Sequence, residues 1–305
     1  MTTATLGPDT PSGNPRPEKF DLSSVDLAAA TDSELDVLER KVVAPYLRMF
    51  PLGVVIWGFS NAIVWLALWP LVFTGVLPLW LAFPIATLNV ALSYLPSHDA
   101  QHNIVARRGQ PLRWLNELLG WVSLIPLWQS FQVMRHTHYE HHRHANDPEL
   151  DPDYEVHTRT ALGFFLKHTG AGGGSAYGAT LVRIGRGDLV VHALVYQLVY
   201  LTVLFGLAWS GYALEVALLW WLPRHIALLW IKFYLSWMPH HPGTATGRYA
   251  DTRAFRSLWG NIWSGGMQYH IVHHLYPTIP LMKTPAAYRD LRPILERRGC
   301  DLGGL

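Results

Sequence analysis

The sequence predicts an all-α integral membrane protein: four transmembrane helices paired as two hairpins, interfacial helices beside them, and a cytoplasmic histidine-rich cap. Three observations predict it. The chain of 305 residues is 50% hydrophobic and only 15% charged, against about a quarter charged in soluble domains. Its apolar residues come in runs of about 20, the length that crosses a hydrocarbon core of about 30 Å. Finally, 12 of its 16 histidines sit in four tight groups, each beside such a run.

The elements follow in order. Residues 1–48 form a cytoplasmic N-terminal segment, Thr/Pro/Gly-rich and disordered as far as residue 17, then charged and amphipathic. Its apolar Leu35, Val37, Leu38, Val42 and Val43 among charges predict a helix on the membrane surface. No basic stretch leads into an apolar one there, so no cleavable signal peptide is expected. Residues 49–285 form the membrane domain. Runs 51–73 and 77–95 are joined only by Thr74, Gly75 and Val76; runs 189–209 and 212–237 are joined by Ser210 and Gly211. Links so short force hairpins, so all four helices begin and end on one side. Residues 112–131, less apolar with Arg113, Asn116 and Glu117, are expected as one interfacial or re-entrant helix. The glycine-rich stretch from Gly170 to Gly178 lacks the Gly-Lys-Ser/Thr ending of a phosphate loop and is expected as a linker. Residues 286–305 form a cytoplasmic tail.

Charge orients this layout. Of 24 Lys and Arg, only Arg224 and Lys232 fall inside a run and none in the tight links. The rest lie on the side of both termini, which the positive-inside rule makes cytoplasmic. All four histidine groups share that side. A net charge of +2 gives no case for nucleic acid, and the single Cys300 excludes an internal disulfide and thiolate metal sites and suits a reducing compartment. The excess of Arg over Lys suits a GC-rich genome, and the expected location is a bacterial inner membrane.

The histidine groups carry the chemistry. Residues three or four apart share a helix face, so His98 with His102, His138 with His141 and His142, and His270 with His273 and His274 can each converge. His240 or His241, just past the fourth run, offers a further ligand. A mononuclear zinc site needs three or four ligands; eight or nine suit two ions with open positions. Imidazole suits Zn, Cu, Fe and Ni, so ligand type leaves the metal open. His157, His168, His192 and His225 stand alone and read as ordinary. A metal transporter would carry such ligands near the bilayer midplane, whereas these lie at helix ends.

The three boxes resemble the membrane fatty acid desaturase/hydroxylase superfamily, whose pattern is H-x(3,4)-H, H-x(2,3)-H-H and H-x(2,3)-H-H. His98/His102, His138/His141/His142 and His270/His273/His274 match in that order, across about residues 50 to 285. The run from Asn146 to Asp153 resembles β-carotene hydroxylases. Pro239-His240-His241-Pro242-Gly243 resembles the ketolases and points to His240 as the ninth ligand, though His241 stands where that branch has arginine.

The resemblance implies two non-haem iron ions, with O2 as co-substrate, acting on a C–H site of a long apolar lipid in the membrane. A carotenoid is favoured, with a fatty acyl chain as the alternative. Electrons are expected from a separate ferredoxin- or cytochrome-type donor. An unactivated C–H bond offers no acidic proton for side-chain acid–base work, so the hard step falls to a cofactor. Asp99, Glu140, Asp147 and Asp151 are candidates to orient ligand rings, with His136, His144 and His241 as supporting candidates. The resemblance gives Asn261 the role of holding a metal-bound water. Arg224 and His225 are ionisable groups inside a span, which are functional candidates by position.

Overall fold

A computed structural model describes residues 18–47, 49–169, 176–255 and 260–303. All regular structure among them is helical. Helix α1 (Asp32–Val43) opens on a reciprocal capping box between Thr31 and Glu34. Its apolar stripe, Leu35, Leu38, Val42 and Val43, does not lie on a membrane. It packs on α14 (Thr284–Arg297) and on Ile271, Val272 and Leu275 of the third histidine box. Amphipathic periodicity reports that something apolar covers the stripe, not whether that cover is lipid or protein. The expected tail therefore belongs to a packed unit, while the stretch expected to be disordered lies outside the described residues.

Helices α2 (Leu52–Phe73) and α3 (Leu79–Gln101) form the first hairpin, with Gly75 at φ 73° in the turn. Asn61 and Asn89 lock it: each side-chain amide donates to the other residue's backbone carbonyl at 2.9 Å. A paired amide is how apolar helices carry a polar residue without leaving it unsatisfied. Helix α3 runs past residue 95 through Pro96, so His98 and Asp99 sit inside it and His102 caps it.

The single helix expected over 112–131 is instead two. Helix α4 (Arg113–Ser123) stops, residues 124–130 turn with Trp128 at φ 47°, and α5 (Phe131–His144) starts under a Ser130 cap. Pro126 explains the break, since it lacks an N–H and disfavours helix at the residue before it. Two side chains satisfy the carbonyls of the turn: Trp220 Nε1 donates to Pro126 O at 3.0 Å and Arg224 Nε to Leu127 O at 2.8 Å.

Helices α6 (Ala161–His168) and α7 (Tyr177–Arg183) follow; most of the expected glycine linker between them lies outside the described residues. Next comes one helical run, Gly187–His240, of 54 residues. It comprises α8 (Gly187–Leu207), α9 (Ala213–Val216), α10 (Leu222–Ile231) and α11 (Met238–His240), linked by π-helical turns. Gly211, at φ 99°, breaks it. Tyr200 before the break meets Trp220 after it, ring centroids 5.2 Å apart, so the two limbs lie antiparallel. With α2 and α3 it makes three helical stretches, among the described residues, long and apolar enough to cross a membrane. The sequence expectation counted the two limbs of this run separately. Helices α12 (Gly260–Trp263) and α13 (His270–Leu275) complete the cap before α14.

Candidate metal centre

Four elements deliver nine histidines to one place: the end of α3, the middle of α5, the last residue of α11, and α13. Ligand nitrogens of His98, His102, His138 and His273 all lie within 4.8 Å of one another, as do those of His141, His240, His270 and His274. Nitrogens bound to one ion at about 2.0–2.1 Å lie at most about 4.2 Å apart, so each set is close to coordination size. His142 sits between the sets. Its Nε2 is 3.1 Å from that of His138 and 3.0 Å from that of His273, and its ring stacks on His274 at 4.1 Å.

Helical spacing explains the division. On α5, His138 faces the first set, His141 the second and His142 the gap. On α13, His270 and His274 share a face and His273 turns to the other set. The boxes are thus not three separate sites; the second and third each feed both sets.

The donors fit cations better than they fit one another. A neutral imidazole has one N–H and one lone pair. Yet His138 Nε2 lies 2.8 Å from His102 Nε2 and 3.1 Å from His142 Nε2. Among the described residues, His98 Nδ1, His270 Nε2 and His274 Nε2 are buried without a partner. An ion in each set would take the lone pair of one converging nitrogen per ring in place of these contacts. Burial, reinforced by neighbouring rings, holds His102, His138, His142, His270, His273 and His274 well below the usual histidine pKa, which keeps them neutral and able to ligate. His141 goes the other way. Burial pulls it down, but Asp151 and then Asp153 outweigh that and raise it to about 9.

Asp151 therefore stands out among the expected supporting residues. It is buried, and its Oδ1 is 2.9 Å from His141 Nδ1, while the backbone N–H groups of Asn146 and Asp153 donate to it. His240 Nδ1 donates comparably to the Asp251 carbonyl at 2.9 Å. Asn146, at φ 66°, donates to the carbonyls of Ala245 and Asp251 and so ties the acidic run to the His240 loop. No sequence signal pointed to those two backbone partners.

The remaining candidates lie elsewhere. His136, Glu140 and His144 form their own stripe of α5, four residues apart and turned from His138, His141 and His142. His136 bonds the Gln132 carbonyl and Arg186; Glu140 pairs with Arg143 and lies near Arg183 and His144. Asp99 is buried but accepts from Leu281 N–H at 3.2 Å, tying α3 to the chain after the third box. Asp147 accepts from the N–H groups of Glu149 and Leu150 in its own turn. His241 packs its ring on Trp237 at 4.4 Å. Asn261 Oδ1 is buried with no partner among the described residues. His225 bonds the Trp221 carbonyl one turn back.

A cavity of about 590 Å³ reaches the centre, with His98, His138, His141 and His270 in its wall. From the histidines it runs between α8 and α10, past Met134, Leu194, Leu228 and Leu235.

A family model described as fatty acid desaturase matches residues 74–302. The zeaxanthin 4-ketolase of Chlamydomonas reinhardtii is 24% identical over 200 residues, covering 63% of this chain and 40% of that protein. The beta-carotene ketolase of a Paracoccus species is 28% identical over 206 residues, 65% of this chain and 74% of the ketolase. An sn-1 oleoyl-lipid 12-desaturase of Anabaena variabilis is 35% identical over 82 residues, 26% of this chain and 22% of the desaturase.

Proposed function

The chain belongs to the fatty acid desaturase family and is an oxidoreductase; on that premise we propose that it oxidises a C–H site of a long lipid, using O2 and two irons held by its nine histidines. One observation carries the reading: two buried sets of four histidines, with His142 between them, at the end of a cavity long enough for a chain. Bound there, iron would supply the one-electron and dioxygen chemistry that side chains cannot. The chain's own residues do the rest. His98, His102, His138 and His273 form one ligand set, and His141, His240, His270 and His274 the other. Asp151 and the Asp251 carbonyl fix two of the rings. Met134, Leu228 and Leu235 line a path that excludes water from the substrate. Asn261, with its unpartnered amide oxygen, holds a water.

A carotenoid is the first substrate class, since the two ketolases align over more of the chain than the acyl desaturase does. Acyl lipid is the second reading, favoured by that desaturase's higher local identity. We read both termini and the boxes as cytoplasmic, in a bacterium, because that side carries nearly all the Lys and Arg. There His142 and His274 floor an open hollow rimmed by Arg143 and Arg248, where a separate ferredoxin- or cytochrome-type donor delivers electrons.

The test is expression in a carotenoid-producing bacterium, with pigments and fatty acids profiled by mass spectrometry. A new oxygenated or desaturated product is expected, together with about two irons per purified chain, the number that two four-histidine sets imply. His98→Ala, His141→Ala and His273→Ala should each abolish product while the protein still inserts. Stoichiometric zinc without oxygen consumption would overturn the reading.

A further inference from the structure

The cavity has a second end that oxidation chemistry leaves unexplained. Arg224, Leu228, Lys232 and Ser236 line it as one stripe, four residues apart along the second limb of the long run. At about 1.5 Å per residue that stripe is about 18 Å long. The histidines lie at the Ser236 end, because His240 is one turn further on. Arg224 is the far end.

Arg224 is also at mid-depth of its limb, 13 residues from Gly211 and 13 from Trp237. A cation at that depth is costly, and it normally faces a partner or a functional cavity. Among the described residues only Nε has a hydrogen-bond partner, the Leu127 carbonyl at 2.8 Å. The guanidinium lies over the Tyr200 ring, 5.0 Å from its centroid. Among those residues no carboxylate meets it, and its two terminal amino groups make no hydrogen bond. Two neighbouring atoms are equally unpaired. Among the described residues the Tyr200 hydroxyl, behind the cavity wall, is buried without a partner, and Gln129 Oε1, on a residue lining the cavity beside Arg224, is buried without one too. A pure hydrocarbon lying here would leave all of them desolvated and unsatisfied, which costs more than the apolar contact returns.

We propose that the substrate is an amphiphile whose far end carries an oxygen, carboxylate or hydroxyl, that docks on the terminal amino groups of Arg224, about one cavity length from the metal centre. This deepens the oxidation reading, taking the cavity as its substrate site, and makes Arg224 the ruler that sets which carbon reaches the histidines. A hydroxyl would satisfy the Gln129 oxygen as well, by donating to it.

The test is binding, not turnover, on metal-free protein in detergent, so that its failure and failure of the oxidation reading stay separate. Quenching of tryptophan emission, to which cavity-lining Trp128 contributes, reports occupancy. One arm compares parinaric acid with its methyl ester; the other compares β-carotene with its 3,3′-diol. The oxygen-bearing or charged member of at least one pair should bind about tenfold tighter, the ratio one charge-assisted hydrogen bond sustains. Which pair responds identifies carboxylate or hydroxyl. Arg224→Met should bring that ratio to about one, and Arg224→Lys should keep part of it. Equal affinities within both pairs for the unaltered protein would overturn the proposal, as would a preference that survives in Arg224→Met. The wild-type comparison stands even if Arg224→Met fails to fold.

Discussion

His141 can offer a metal only one nitrogen, and Asp151 decides which. With Nδ1–H held by the carboxylate at 2.9 Å, Nε2 is the nitrogen that a metal would take, displacing its proton, and it lies 3.1 Å from His240 Nε2. Such outer carboxylates orient the ring and raise its basicity, and their loss typically weakens metal binding by about 10- to 100-fold. Asp151→Ala should therefore lower iron affinity by about that range, with Asp151→Asn milder because an amide oxygen still accepts from Nδ1–H. Competition of the purified protein against a calibrated chelator measures this, and unchanged affinity in Asp151→Ala would remove the assignment. The gathering of the histidines was legible in the sequence because helical spacing alone brings a box together. Asp151 was not separable from Asp99, Glu140 and Asp147 by the same means. A carboxylate's partner depends on the path of the turn that carries it, and that path follows from Asn146 adopting φ 66° and reaching the Ala245 and Asp251 carbonyls.

At the scale of elements, the position of α5 decides whether three ligands arrive, and α5 is set by a close approach on α4. Gly120 faces the Phe131 ring so tightly that a Cβ would sit 2.2 Å from its Cζ atom. Phe131 is fully buried in the first turn of α5, two turns before His138. Gly120→Ala should therefore push that turn away, at an overpacking cost of about 1–3 kcal/mol. The shift should show as a lower thermal midpoint and slower turnover, and Phe131→Leu in the same chain should recover much of both. An unaltered midpoint in the single variant would mean that α4 does not position α5. The apolar runs were legible because membrane length is a strong signal. The division of 112–131 was not, since one proline in an apolar stretch can kink a helix or end it. Tertiary partners made the choice here: Trp220 and Arg224 receive the carbonyls that the break exposes.

For the whole molecule, Asp99 of α3 grips the chain after α13 from the membrane side, and something has to hold α13 against α5 from the other. Glu39 of α1 does so, buried at 1% exposure. It accepts from the Tyr276 hydroxyl at 2.8 Å, the Tyr249 hydroxyl at 3.1 Å and Arg298 Nε at 2.8 Å. Tyr276 follows α13 directly, Tyr249 lies in the loop after His240, and Arg298 caps α14. One carboxylate thus joins the two ends of the chain to both segments that bring the third box and His240 to the centre. Breaking a buried ion pair costs up to about 3–5 kcal/mol, and less here, because Arg298 keeps Asp32 and Asp36 and Glu39 keeps its two tyrosine hydroxyls. Glu39→Ala and Arg298→Ala should each lower the thermal midpoint by several degrees and reduce iron retained on purification, though neither residue touches a ligand. Because both variants break the contact they share, the double variant should lose less than the sum of the two single losses, a shortfall that a double-mutant cycle reads directly. Additive losses would show that α1 and α14 act on the centre independently, and full iron retention in Glu39→Ala would show that the cap holds α13 without them.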